Sequence, residues 1–187
     1  MCHPSHMPIE IHPNLTMKSL LDQYPGARRA LFSAFHIGGC QSCAYELEET
    51  LEEVCKNHTI DLEVAIRCLA DSHKNDSSML ISPTELKALL EKKEPFILLD
   101  TRTREEFEAI TLPGAQLMTQ ELQTNLFAEK KNNQKVILID HQGRSVLDHC
   151  AWFRGHGLLR TFGVEGGLDR YAKEADPSIA RYRLEMD

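Results

Sequence analysis

The chain lacks the long apolar run that crossing a bilayer requires. No stretch of its 187 residues approaches the roughly 20 consecutive apolar residues of a membrane span. It also lacks a cationic surplus: 21 Lys and Arg stand against 28 Asp and Glu, for a net charge of −7. Nucleic acids and anionic membranes are held by clustered Lys and Arg, so neither is an expected partner. The opening residues Met1-Cys2-His3-Pro4-Ser5-His6 show no basic stretch followed by an apolar one. A secretory signal is therefore not expected, and the cytoplasm is the expected location. Closely spaced cysteines are scarce as well. Of six cysteines only Cys40 and Cys43 form a C-x-x-C, and there is no second such pair. In a reducing compartment that motif indicates redox or metal chemistry rather than a structural staple.

What is present is the composition of a soluble globular protein, 42% hydrophobic and 26% charged, in a length that suits one domain or two small ones. Residues 1–8 read as a flexible N-terminus, in which Cys2, His3 and His6 make a tract of metal-binding composition. Residues 9–71 read as a small all-α domain. Thr16 suits an N-cap, and Met17, Leu20, Leu21 and Tyr24 share one helical face. A second helix is expected over 25–35, where Pro25 is tolerated in the first turn and Ala30, Leu31, Ala34 and Phe35 are the apolar side. A third is expected over 44–57 through Leu47, Leu51, Val54 and Cys55, with acidic residues early in it that suit the helix dipole. Asp61 caps a fourth, with Leu62, Ala65, Ile66 and Leu69 inward. Cys55 and Cys68 fall on or beside these faces and read as core, since free cysteine packs like a small hydrophobe. A domain this small sits near the lower limit for folding alone, which makes a homodimer through it a candidate partnership. The polar stretch 72–79 lacks apolar periodicity and reads as a linker.

The pattern changes over residues 80–187. Ser82 caps a helix with Pro83 at its first position. Phe96-Ile97-Leu98-Leu99-Asp100 and Val136-Ile137-Leu138-Ile139 are continuous apolar runs, as in strands buried on both faces. Arg160-Thr161-Phe162 is a third, short strand; a helical turn is expected over 105–108 and helices over 146–156 and 168–174. Strands alternating with helices predict an α/β domain with a parallel sheet flanked by helices. The loop Asp140-His141-Gln142-Gly143-Arg144-Ser145 leaves the carboxyl end of the central strand and enters a helix N-terminus, a place where open α/β sheets hold ligands. Arg144 adds a positive charge there for a small anion, and His141 is a candidate base or pH-sensitive group. Cys150, beside Ala151, Trp152 and Phe153, reads as packing.

Three chemistries fit Cys40 and Cys43. The spacing suits an easily exchanged disulfide, and placement at a helix start favours a thiolate. Alternatively the pair supplies two ligands of a zinc or iron–sulfur site, completed by His36, by His58 or by the cysteines of a second copy. In the third case the thiols are partly buried and inert. His36, at the end of a helix, also suits a charge at a helix C-terminus, and His58 reads as helix-ending.

Residues 80–175 resemble the rhodanese-like domain. Leu98-Leu99-Asp100-Thr101-Arg102 followed by Glu105-Glu106-Phe107 is similar to that family's D-x-R…E-[FY] motif. Ala109-Ile110-Thr111-Leu112-Pro113-Gly114-Ala115 is similar to G-H-I-P-G-A, with Ile110 and Thr111 where glycine and histidine are usual. Val164-Glu165-Gly166-Gly167-Leu168-Asp169-Arg170-Tyr171 is similar to L-x-G-G-[IL]-x-x-W. The resemblance implies a persulfide-carrying cysteine directly after the central strand, in a loop C-x-x-G-x-R-S. Asp140 stands there instead, in a loop one residue shorter. Residues 9–70 resemble a helical family associated with hybrid-cluster proteins and described as a redox-disulfide domain. Leu15-Thr16-Met17-Lys18-Ser19-Leu20-Leu21, Tyr24-Pro25, Leu31-Phe32, the Gly39-Cys40 and Cys43 turn, Glu49-Thr50-Leu51-Glu52-Glu53 and Ile60-Asp61 carry that likeness. More distantly they resemble the N-terminal domain of iron–sulfur centre repair proteins. Together the resemblances imply an accessory protein with a partner in sulfur, redox or iron–sulfur metabolism. In it a dithiol domain is fused to a catalytically inactive rhodanese-like domain that serves for docking or anion binding. The alternatives are an active sulfurtransferase with Cys40 or Cys43 as persulfide carrier, and a dimeric regulator that binds metal.

Overall fold

In a computed structural model, residues 10–38, 45–92, 95–128 and 134–182 are described. The chain divides into two units, Met1–Ser78 and Met79–Asp187. Cys40 and Cys43 lie outside the described residues, as do Cys2, His3 and His6.

The first unit contains four described helices: α1 (Met17–Gln23), α2 (Ala27–Phe35), α3 (Leu51–Asn57) and α4 (Leu62–Ser77). Thr16 caps α1, its hydroxyl accepting the Ser19 N–H at 3.2 Å, and Asp61 caps α4 by accepting the Val64 N–H at 3.0 Å. The approaches to α1 and α3 are stitched together. Thr16 and Thr50 form an antiparallel bridge, the Met17 N–H donates to Glu49 and the Leu51 N–H donates to Leu15. Met17, Leu20, Leu31, Leu51, Val54 and Ala65 form the closed centre.

Two stretches of this unit differ from expectation in their secondary structure. The helix expected over 44–57 begins at Leu51. Thr50 and Glu53 form a reciprocal capping box that satisfies the first-turn donors and fixes the start there. Glu49 is spent on the Glu46 N–H and the Asn57 amide, outside the helix. Residues 72–77 of the polar stretch expected as a linker are the last turns of α4, and the division between the units falls inside that stretch, after Ser78. Its Asp76 is 4% exposed and pairs with Arg29 of α2, and its His73 meets the Tyr24 ring edge-on at 5.0 Å. Gly26 makes room for this contact: a Cβ there would lie 1.8 Å from the Asp76 carboxylate. The stretch carries no apolar periodicity because polar groups make its packing contacts.

The second unit runs β1 (Leu80–Ile81), α5 (Pro83–Lys92), β2 (Ile97–Asp100), α6 (Arg104–Ala109), β3 (Ala115–Leu117), α7 (Gln120–Ala128), β4 (Val136–Ile139), α8 (Val146–Gly155), β5 (Thr161–Val164) and α9 (Gly167–Glu174). The strands form one parallel sheet in the order β1-β5-β4-β2-β3. Successive strand residues point to opposite faces. Val136 and Leu138 accordingly join Val146, Cys150 and Phe153 on one side, while Ile137 and Ile139 join Leu86, Leu168 and Tyr171 on the other. Burial of both faces is why β4 reads as an unbroken apolar run. Two short strands, β1 and β3, and the helix α7 have no counterpart in the sequence expectations. Two or three residues are too few to show a period.

The end of the described chain is fastened to this sheet. Asp100 closes β2, and Arg102 folds back onto it through Nε and Nη2, at 2.9 and 2.7 Å; both side chains are 2% exposed. Arg102 Nη1 donates to the Tyr182 hydroxyl at 2.7 Å, and that hydroxyl donates to Glu106 at 2.6 Å. Burial pulls the Arg102 guanidinium down, yet the hydrogen bonds to Asp100 and Tyr182 hold it above its ordinary value. Burial also pushes the Glu106 carboxyl up, and the bonds from Tyr182 and Thr103 bring it below the ordinary range. The Tyr182 phenol, buried and bonded to Glu106, is pushed up to about 12.

A folded value above the unfolded one means that Tyr182 adds stability fully below pH 10 and loses it as pH rises through about 12. Denaturant titrations at several alkaline pH values check this: the wild-type advantage over Tyr182→Phe is expected to shrink across that window. Gly163→Ala tests the packing of β5 on α8. The new Cβ would lie 2.7 Å from Val146 and 3.2 Å from Cys150 Sγ. A loss of about 1–3 kcal/mol is expected in a denaturant midpoint shift at constant m-value.

Candidate functional site

The loop 140–145 leaves the central strand β4 with Asp140, which is 6% exposed. A buried carboxylate needs donors, and the chain supplies them by curling around it. One oxygen accepts the Gly143 N–H. The other accepts the Ser145 N–H at 2.9 Å, the Ser145 hydroxyl at 3.0 Å and the Val146 N–H at 3.1 Å. Val146 opens α8, so Asp140 performs from the strand end the capping task that Ser145, with its hydroxyl turned to the carboxylate, does not perform for the helix.

The carbonyls of the same loop are spent on α9. Asp140 O accepts the Leu168 N–H at 2.8 Å, and His141 O accepts the Asp169 N–H at 2.9 Å. This close approach requires Gly167, whose φ is +61° and where a Cβ would lie 2.5 Å from the Asp140 carbonyl. Gly143 meets the same constraint from the other side, with φ +77° and the backbone nitrogen of Gly166 only 2.6 Å from where a Cβ would be. The Gly-Gly pair is therefore a backbone-packing device that locks the loop onto α9.

His141 is buried at 8% exposure. Its ring stacks on Tyr182, with centroids 4.2 Å apart and planes within 4°. Its Nε2 lies 3.1 Å from the Tyr182 carbonyl oxygen. A carbonyl only accepts, so Nε2 carries the proton. Beside this stack is an open pocket of about 390 Å³ lined by Gln142, Asp169, Arg181 and Tyr182. Its two charges cancel: Arg181 donates to Asp169 at 2.7 and 2.9 Å, and that bonding holds the Asp169 carboxyl below its ordinary range.

Of the residues expected at this site, Asp140, Gly143 and Ser145 form one bonded unit, while His141 is bonded to Asp169 and Tyr182. Gln142 lines the pocket, and Arg144 is exposed on the loop. The loop amides that invite an anion at a helix N-terminus are already directed at the Asp140 carboxylate. Sequence reasoning passed over Arg181 and Tyr182. They follow the last family-like motif, and an aromatic next to arginine carries no periodic signal.

In the helical unit, His36 is the C-cap of α2 in the left-handed region, exposed and edge-on to Phe32. His58 is the C-cap of α3. A helix start next to the cysteine pair is not provided by α3, whose first turn begins at Leu51 and is capped by Thr50. Cys55 is closed into the helical core as expected, whereas Cys68 is half-buried and stands outside the core cluster. Burial pushes both thiols up, reinforced by Asp61 and Asp71 respectively, which disfavours the thiolate. Among the described residues no group of three or more His, Cys, Asp or Glu is arranged to hold a metal, and no helix is long and apolar enough to cross a membrane. The cysteine ligands of the candidate zinc or iron–sulfur site lie outside the described residues, leaving His36 and His58 in capping positions.

The family model of the rhodanese-like domain matches residues 82–174. Among curated proteins none matches the chain. Three solved structures are similar to about half of it. The protein SSP1007 of Staphylococcus saprophyticus is 26% identical, with 51% of this chain and 95% of that one covered and a TM-score of 0.43. A rhodanese-like domain protein of Staphylococcus aureus is 21% identical over 55% and 97%, with a TM-score of 0.44. A human single-domain sulfurtransferase is 22% identical over 51% and 96%, with a TM-score of 0.43. The family match, the parallel five-stranded sheet with its flanking helices, and the loop closed against a Gly-Gly turn agree: the C-terminal unit of this chain carries a rhodanese-like domain over residues 82–174.

Proposed function

We propose that this protein is a cytoplasmic accessory factor of sulfur, redox or iron–sulfur metabolism. Cys40 and Cys43 supply a reactive dithiol, and the rhodanese-like domain docks a protein partner without transferring sulfur itself. The observation that carries the proposal is the bonding of Asp140. Sulfur transfer through a persulfide needs a thiolate that attacks a sulfane sulfur, and a carboxylate does not do this. At the end of β4 a carboxylate occupies the position where the family resemblance expects the thiol. It takes up three backbone N–H groups and one hydroxyl there. The loop is therefore satisfied internally, which favours a docking role over capture of a small anion.

The dithiol half rests on the two-residue spacing and on the other thiols. Cys55 and Cys150 are buried, and Cys55 and Cys68 have raised thiols, so they are poor nucleophiles. A homodimer through the helical unit would bring two such pairs together, and sedimentation of the intact chain reads that directly.

The deciding experiment is thiosulfate–cyanide turnover together with thiol and metal analysis, on the wild type and on Cys40→Ser/Cys43→Ser. No thiocyanate above background is expected. Two thiols of the wild type should appear on mild reduction, and the double variant should lack both. Turnover that disappears in the double variant would replace the proposal with a sulfurtransferase using Cys40 or Cys43. Zinc or iron lost in that variant would replace it with a metal-binding regulator. The same bonding sets a stability expectation: Asp140→Ala should cost about 1–3 kcal/mol in chemical denaturation and Asp140→Asn less, because the amide keeps one acceptor.

A further inference from the structure

The family match ends at residue 174, and the described chain continues to Tyr182. This extension turns at Asp176, whose carboxylate accepts the Ser178 N–H and hydroxyl at 3.1 and 2.6 Å. It then runs back along α9. Ile179 packs against the core, Arg181 reaches Asp169 in the first turn of α9, and Tyr182 lies on His141. Its last residue makes three kinds of contact at once: a ring stack on His141, a carbonyl on His141 Nε2, and a hydroxyl between Arg102 and Glu106.

We propose that residues 176–182 are a detachable strap over the 140–145 loop. Tyr182 is its latch, and the surface beneath is a receptor for an arginine–tyrosine segment that the chain's own tail occupies in cis. Each part of the receptor matches one part of the tail. Asp169 takes the guanidinium, the His141 face takes the ring, and the Arg102–Glu106 pair takes the phenol as acceptor and donor. Detachment would start at the outer fastening, since the contacts of Tyr182 with Arg102 and His141 are the buried ones. The Arg181 side chain is 53% exposed, and such ion pairs hold weakly. The segment adds no strand to the sheet and stands outside the regular elements, the kind of region that opens locally while the core stays closed. A partner that docks at the loop from this side has to displace Tyr182, and a tyrosine preceded by arginine has the chemistry to do so. The strap does not depend on the dithiol proposal, since no cysteine takes part in it.

The test is carbethoxylation of histidines in the intact chain, mapped by mass spectrometry, with exposed His58 as internal reference. In the wild type and in Tyr182→Phe, His141 is expected to react roughly tenfold more slowly than His58, because stack and carbonyl remain. In Tyr182→Ala it should approach the His58 rate while the amides of β4 keep their hydrogen-exchange protection. Arg181→Glu sets a second carboxylate against Asp169 at an exposed position, where folding is not at stake, and should accelerate His141 in the same direction. Wild-type His141 reacting as fast as His58 would overturn the strap. So would slow His141 in both Arg181→Glu and a folded Tyr182→Ala.

Discussion

The second unit depends on how a carboxylate is buried at the end of its central strand. Asp140 leaves β4 with 6% exposure and without a cation bonded to its carboxylate among the described contacts. Three backbone N–H groups and a hydroxyl replace water around it. Meeting that demand forces the chain into a tight curl, sets the start of α8, and leaves the loop carbonyls facing α9, where Gly167 lets them close. One buried charge thus fixes three elements relative to one another. Three of its four donors are backbone groups, and the curl that aims them needs glycine at 143.

A second buried carboxylate stands on the neighbouring strand and is handled differently. Asp100 is in register with Ile139, one residue before Asp140, so both acids emerge at the same end of adjacent strands. Asp100 is neutralised by Arg102 in a close ion pair. Burying such a pair gains little by itself, because desolvation offsets the attraction. What it provides is direction: the remaining guanidinium donors are aimed at the Ile110 carbonyl and the Tyr182 hydroxyl. The ion pair therefore acts as an anchoring post for the 102–110 segment and the end of the described chain, whereas the Asp140 carboxylate takes its donors from its own loop and the start of α8.

That contrast explains what the sequence discloses. Val136-Ile137-Leu138-Ile139 is legible as a strand because both faces are apolar, and the caps at Thr16 and Asp61 are legible because capping is local. The loop 140–145 is legible as a site because its place after a buried strand is local too. Tyr182 is not. Its partners Arg102, Glu106 and His141 stand 80, 76 and 41 positions away, and no period links them. The same holds for the expected linker, whose Asp76 is buried by Arg29 across 47 positions of chain. The helix expected over 44–57 fails for the opposite reason. Its acidic residues fit a first turn by composition, and only the reciprocal Thr50–Glu53 bonds show where that turn begins.

The cysteines give the strongest constraint on chemistry. Six are present. Cys150 is fully buried between β5 and α8, beside the position a Gly163 side chain would take. Cys55 is closed into the helical core, and Cys68 is held toward the thiol form by burial and by Asp71. Nucleophilic sulfur is the thiolate, and all three of these environments oppose it or deny access to it. Under the dithiol proposal these three thiols are therefore not the carriers, and that role is assigned to Cys40 and Cys43. The loop that ends β4 carries a carboxylate at its centre whose acceptors the chain itself fills, and the docking proposal rests on that bonding.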